Sequence, residues 1–271
     1  MCLPVDDRPR APATTDAADP QVADDVATDA ADGFEVEAVR PPGVDGWLRG
    51  LLCRPPAAGR RPLVLVLPEI DGYSPGTEAA ARRLAAAGYL ALALDPFAGI
   101  GGTPPLRSRA DTVAWVLSLN ERRHLSDVAQ AIAWARAHPA ADGRLGLLGF
   151  SAGGRYSLLL ATEPHGIDAV VTFYAPPWPR ESLETVMASG DHLGRVRPPV
   201  CAVFGDEDDF IPPAVLERYR AAVAGRPGDE VHVLPGAHLF ANPVRRPYRA
   251  DAAERAWGHV LDFLRRHLPP H

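Results

Sequence analysis

Apolar and polar residues change rhythm along this chain. The stretch FEVEAV sets Phe34 and Val36 against Glu35 and Glu37, the alternation of a half-exposed antiparallel strand. The nearby WLRGLLC supplies a partner for it. Further on, alternation gives way to continuous apolar runs: PLVLVLP, YLALALD, LGLLGF, AVVTFYA and VCAVFG. Short unbroken runs of this kind are strands covered on both faces, the mark of a parallel sheet under helices.

Helical periodicity lies between the runs. Thr77 to Ala87 places Ala80, Leu84 and Ala87 on one face, with Gly88 as the stop. Ser126 is a cap for a helix whose inner face holds Val128, Ile132 and Ala135, ended at Pro139. Asp251 is a cap for the last helix, where Trp257, Val260, Leu261, Leu264 and Leu268 form a stripe before Pro269. Strand and helix alternate throughout. The pattern predicts an α/β domain: a doubly wound, mostly parallel sheet with antiparallel N-terminal strands and helices on both faces.

Composition adds a tail and removes several classes of function. Residues 1–33 are rich in Ala, Asp and Pro and lack periodicity, so they bury too little apolar surface to offset ordering entropy and are expected to be a disordered acidic tail. Residues 34–271 are expected to form one domain. The net charge of −6 offers no electrostatic reason to bind nucleic acid or an anionic membrane. Cys2, Cys53 and Cys201 are too few and too scattered for a disulfide framework or a paired-cysteine metal site; Cys53 and Cys201 read as core residues. No basic-then-apolar leader and no run near the ~18 apolar residues of a membrane span is seen, which makes a cytoplasmic protein the default expectation.

In a sheet of this type, chemistry gathers at the carboxyl ends of the strands. Four segments stand there: PEIDGYSPG, GFSAGG, GDEDDFIPP and PGAHLFAN. GFSAGG puts Ser151 between Gly149 and Gly153, after an apolar run and before the helical GRYSLLLA. A nucleophilic serine needs such a turn, with small residues where strand and helix backbones come close, and a helix N-terminus favours the charge that develops. The competing reading is a serine N-cap in a glycine-rich turn. Among nine histidines, His124 and His138 read as surface residues flanking the Ser126 helix, and His238 has the late-loop position a general base requires. Of the carboxylates in GDEDDFIPP, position favours Asp208, with Asp206 as the alternative. The order Ser151, Asp208, His238 is the one expected of an α/β-hydrolase.

These residues make the chain resemble the dienelactone hydrolase family, a branch of the α/β-hydrolases. PEIDG at 68–72, GFSAGG at 149–154, GDEDDFIP at 205–212 and GAHLFA at 236–241 carry the likeness. The resemblance implies an α/β-hydrolase fold, a nucleophile at Ser151, an acid at Asp208 and a base at His238. It further implies an auxiliary acid at Glu69 and an oxyanion hole from the backbone N–H groups of Ala152 and Ile70. Two departures are visible: the namesake enzymes usually carry cysteine at the position of Ser151, and Asn242 stands where they place an arginine for the substrate carboxylate. Tyr73, Phe97, Tyr174, Trp178 and Phe240 are candidates for an apolar substrate pocket, and GIGGTPPLRSR for a mobile loop above it. No cofactor and no metal are expected. The expected activity is hydrolysis of a small carboxylic ester or lactone through an acyl-enzyme. The alternatives are a true dienelactone hydrolase (carboxymethylenebutenolidase), a non-catalytic binding protein on the same fold, or acyl transfer to an acceptor other than water. Monomer and homodimer both remain open.

Overall fold

The computed structural model describes residues 26–29, 34–56, 59–176 and 193–270. In chain order the antiparallel part comprises β1 (Val26–Asp29), β2 (Phe34–Val39), the short hairpin β3 (Pro42–Gly43) and β4 (Gly46–Trp47), and β5 (Arg49–Arg54). Then follow β6 (Arg61–Leu67), α1 (Pro75–Ala86), β7 (Leu90–Asp95), α2 (Arg109–Ser118), α3 (Glu121–Arg136) and β8 (Ala141–Phe150). The last part holds α4 (Ala152–Leu160), β9 (Ala169–Phe173), β10 (Val200–Gly205), α5 (Pro213–Val223), β11 (Glu230–Leu234) and α6 (Ala250–His267). Nine strands form one sheet in the order β1-β2-β5-β7-β6-β8-β9-β10-β11. Pairings from β1 to β7 are antiparallel and those from β7 to β11 parallel.

The apolar runs encode which face is which. In β7 (LALALD), Leu90, Leu92 and Leu94 join a core with Val128, Ala131, Ile132 and Ala135 of α3. Ala91 and Ala93 point the other way, into the core with Ala80, Ala81 and Leu84 of α1 and Trp257, Val260 and Phe263 of α6. β6 repeats this, with Leu63, Leu65 and Leu67 on the α3 face and Val64 and Val66 on the α1 face. A period of two thus persists inside a continuous apolar run, as a period in side-chain size. Cys53 and Cys201 are fully buried in the core, as their apolar settings predict.

Several local expectations shift. Helix α3 starts at Glu121, not at Ser126, because Asn120 accepts the Arg123 N–H and caps it; Ser126 is a mid-helix residue whose hydroxyl donates to the Arg122 carbonyl. His124 is therefore inside α3 and buried, not on the surface, and burial lowers its pKa. The cap of α6 is Arg249, with Asp251 in the first turn, where a carboxylate favours the helix dipole. Val26–Asp29, counted above in the tail, pair antiparallel with β2, so ordered backbone starts before Phe34. Residues 1–25 and 30–33 of the expected tail lie outside the described residues, as does Trp178.

The passage from β8 to α4 sets the position of the site. Backbones cross there with no room for a side chain: a Cβ on Gly149 would run into the backbone of Gly153 and Gly154. One on Gly153 would come within 2.5 Å of the Pro68 carbonyl oxygen, whose hydrogen bond from the Gly153 N–H is 3.0 Å. Backbone atoms on both sides cannot yield, so Gly149→Ala should destabilise the protein by about 3 kcal/mol or more. Urea unfolding of that variant measures it; a midpoint equal to wild type would contradict the crossing described here.

Candidate active site

Ser151 sits between β8 and α4 with φ 48° and ψ −112°, a conformation that non-glycine residues adopt only when their surroundings impose it. Its N–H donates to the Phe173 carbonyl at 2.9 Å, which fixes the turn to the end of β9. The side chain is left at the rim, 8% exposed. Among the described residues, three that are not glycine have positive φ: Ser151, Tyr174 and Leu239. All three stand at the strand ends around this one point.

The loops after β10 and β11 meet Ser151. Its Oγ lies 3.0 Å from His238 Nε2, and His238 Nδ1 lies 2.8 Å from Asp208 Oδ2. Asp208 is buried, and its other oxygen accepts the Phe210 N–H at 2.7 Å. That second bond fixes the carboxylate plane. Asp206, the alternative acid, has a different place: it accepts the Gly236 N–H at 3.0 Å, while the Glu207 N–H donates to the Gly236 carbonyl at 2.9 Å. These two bonds join the acid loop to the histidine loop. The close approach again requires glycine, since a Cβ on Gly205 would meet the Gly236 carbonyl.

The turn after β6 forms the third side. The Gly72 N–H donates to the Glu69 carbonyl at 3.0 Å, closing a turn over Glu69, Ile70, Asp71 and Gly72, with Gly72 at φ +90°. The Pro68–Gly153 bond brings this turn beside the N-terminus of α4, whose first residue is Ala152. Glu69 is buried, and its Oε1 accepts the Tyr174 hydroxyl at 3.1 Å and the Asn242 amide at 2.9 Å. The carboxylate turns to these two groups, not to Ser151. Burial pushes the Glu69 pKa up, against the hydrogen bond from Asn242. Burial also pushes the Tyr174 hydroxyl well up, with the Glu69 charge adding to it, so Tyr174 keeps its proton and donates.

The expected pocket aromatics divide. Tyr73 is half-buried beneath the Arg49 guanidinium, 5.0 Å from its ring centre. It lines a cavity with Arg49, Asp71, Asp95 and Thr103. Phe97, Tyr174 and Phe240 are all buried at 1% exposure or less. They pack under the site, Tyr174 with its ring 5.1 Å from that of His238 and 5.9 Å from that of Phe240. Strand ends still lie within the core here, and rings placed there pack into it. Two residues outside that expected set stand at the site: Phe210 is exposed with its ring 4.6 Å from His238, and the Trp115 indole N–H reaches the Ile70 carbonyl. Phe210 was visible beside Asp208; nothing local marks Trp115.

One Cys/His/Glu group occurs among the described residues, at the other end of the strands. Cys201, Glu230 and His232 have donor atoms within 4.8 Å of one another. Arg266 and His232 already occupy the two Glu230 oxygens, and burial raises the Cys201 thiol, so the group is closed by its own contacts.

A mostly parallel sheet with helices on both faces and a serine at the β8–α4 turn is the α/β-hydrolase architecture. The chain belongs to the dienelactone hydrolase family, whose model matches residues 48–268, and is a hydrolase. A Methylorubrum extorquens protein named carboxymethylenebutenolidase is 31% identical over 246 residues, 89% of this chain and 84% of that one. A Bradyrhizobium protein named as a 2-oxo-3-(5-oxofuran-2-ylidene)propanoate lactonase is 33% identical, over 83% of this chain and 92% of its own. The crystal structure of a Klebsiella pneumoniae protein described as a dienelactone hydrolase superposes with a TM-score of 0.77 at 26% identity, over 85% of this chain and 98% of that one. No helix among the described residues is long and apolar enough to cross a membrane.

The buried Glu69 has a measurable signature. Folding favours its neutral form, so its contribution to stability is present below the ordinary value of 4.5 and is lost as pH rises through the higher folded value. Glu69→Gln keeps the shape and the acceptor oxygen and removes the titration. Its melting temperature should gain on that of wild type as pH is raised from about 4 to about 8. A difference independent of pH would refute the raised pKa.

Proposed function

We propose that the protein is a serine hydrolase that cleaves a small carboxylic ester or lactone through an acyl-enzyme. The observation that carries this reading is the hydrogen-bonded series Ser151 Oγ to His238 Nε2 to Asp208, at 3.0 and 2.8 Å. A hydroxyl has too high a pKa to attack unaided, so it needs a base within hydrogen-bond reach. His238 accepts the Ser151 proton as Oγ bonds to the substrate carbonyl carbon. Asp208 holds the Nδ1–H tautomer and stabilises the imidazolium that forms. The tetrahedral oxyanion takes hydrogen bonds from the Ile70 and Ala152 N–H groups, and the N-terminus of α4 adds its dipole. His238 returns the proton to the leaving alkoxide. Water, activated by the same imidazole, then cleaves the acyl-enzyme.

Glu69 stands outside this proton path. Its bonds to Tyr174 and Asn242 give it the role of a tether for the turn that carries Ile70. The names of the two relatives favour a lactone among the possible substrates, and a true dienelactone hydrolase is the second reading.

The test is turnover of short-chain p-nitrophenyl esters and of dienelactone, with labelling by a fluorophosphonate probe. Ser151→Ala should lower kcat by about 10⁴-fold or more and abolish labelling. Full turnover in that variant would overturn the serine mechanism. Dienelactone preferred over every ester would select the second reading, and no turnover or labelling of folded wild type would favour a binding protein.

A further inference from the structure

The turn that carries Ile70 is held at three consecutive residues by three different parts of the chain. Tyr174 and Asn242 hold the Glu69 carboxylate. Arg245 forms an ion pair with Asp71. Between them, Trp115 Nε1–H donates to the Ile70 carbonyl oxygen at 3.0 Å, across 45 residues of chain.

Helix α2 gives Trp115 its particular character. None of its described side chains is fully buried, and Val113 and Leu117 are exposed. A helix of 10 residues with so little burial draws scant stability from its own propensity, so its docking rests on the few side chains that reach inward. Trp115 is half-buried, its ring edge-on to the buried Phe97 at 5.7 Å, and Phe97 in turn packs edge-on against His124 of α3 at 5.2 Å. The ring anchors the helix, and the indole N–H at its edge reaches the turn. The two jobs belong to different atoms of one side chain and are separable by substitution.

We propose that Trp115 is a positioning residue for the oxyanion hole: its hydrogen bond to the Ile70 carbonyl fixes the orientation of the turn, and with it the direction of the Ile70 N–H. This rests on the proposed role of that N–H. The bond holds the Ile70–Asp71 peptide unit, next to the Glu69–Ile70 unit that carries the donor, and touches no substrate atom. Donors aimed at a developing charge act in the transition state, and their misalignment is felt there more than in the ground state. Loosening the turn should therefore lower kcat and leave KM nearly unchanged.

Trp115→Phe is the decisive variant, because it keeps an aromatic ring against Phe97 and removes the N–H. Its kcat on a short-chain p-nitrophenyl ester should fall about tenfold, with KM within about twofold of wild type. A boronic acid forms a tetrahedral adduct on a nucleophilic serine, and its Ki should rise by the same factor as kcat falls, since the adduct uses the same donors. Trp115→His, which keeps an N–H on a smaller ring, should recover part of the loss. Unchanged kcat in Trp115→Phe would overturn the proposal. So would a fall in kcat accompanied by an equal change in KM and a lower melting temperature, which is what loss of α2 docking alone would produce. Ser151→Ala, measured beside it, separates the two readings. Retained turnover there sinks both, whereas an inactive Ser151→Ala beside a fully active Trp115→Phe sinks only the role of Trp115.

Discussion

The site depends on a backbone crossing too tight for a side chain. Gly149 of β8 lies against Gly153 and Gly154 of α4, and Gly153 lies against the carbonyl groups of Leu67 and Pro68. One contact therefore registers β8, α4 and the end of β6 together. The strained φ of Ser151 follows from it, because the chain must reverse within one residue to enter the helix. So does the position of the Glu69–Gly72 turn, whose first hydrogen bond to α4 is made by the Gly153 N–H to Pro68. The placement of the serine and that of the turn are thus consequences of one constraint.

A second layer fixes what the crossing leaves free. Glu69 is an acid in a place that penalises charge, and it is kept by two donors from distant segments, Tyr174 at the end of β9 and Asn242 after β11. Hydrogen bonds of this kind contribute about 1 kcal/mol each, and leaving a buried partner unsatisfied costs about 1–3 kcal/mol. The Arg245–Asp71 ion pair spans the same two loops nearer the surface, with Arg245 43% exposed, where such pairs contribute about 1 kcal/mol at most. The buried network outweighs the ion pair. It also reaches the imidazole, because the ring of Tyr174 packs beside that of His238.

What could be read from the sequence is what short stretches encode. The Leu/Ala alternation of β7 and the Leu/Val alternation of β6 mark two buried faces, and the parallel sheet follows. The order of Ser151, Asp208 and His238, each after its own strand, anticipates that they meet. Asp206 and Asp208 differ by two residues in the same acidic turn, and only the backbone path decides which one faces His238 and which one ties down Gly236. Ser126 has the chemistry of a cap, yet α3 starts a turn and a half earlier, where Asn120 provides one. Phe97, Tyr174 and Phe240 have the composition of a pocket and the burial of a core; composition does not tell these apart. Contacts such as Asn242 to Glu69, 173 residues apart, carry no local signal.

The molecule therefore has a stiff side and a soft side. The strand ends, the glycine crossing and the Glu69 network are buried, and they determine the reaction class. The approach to them is built differently: α2 has no fully buried described side chain, and Phe210 and Val244 are exposed on the loops after β10 and β11. Segments with few buried contacts open at low free energy and accept substitution readily. Two guanidiniums on this side already have partners, Arg49 with Asp95 and Arg245 with Asp71, so a neutral ester leaves these pairs intact, whereas a substrate carboxylate must compete with an internal partner for either of them. Arginine in this region therefore does not by itself imply an anionic substrate.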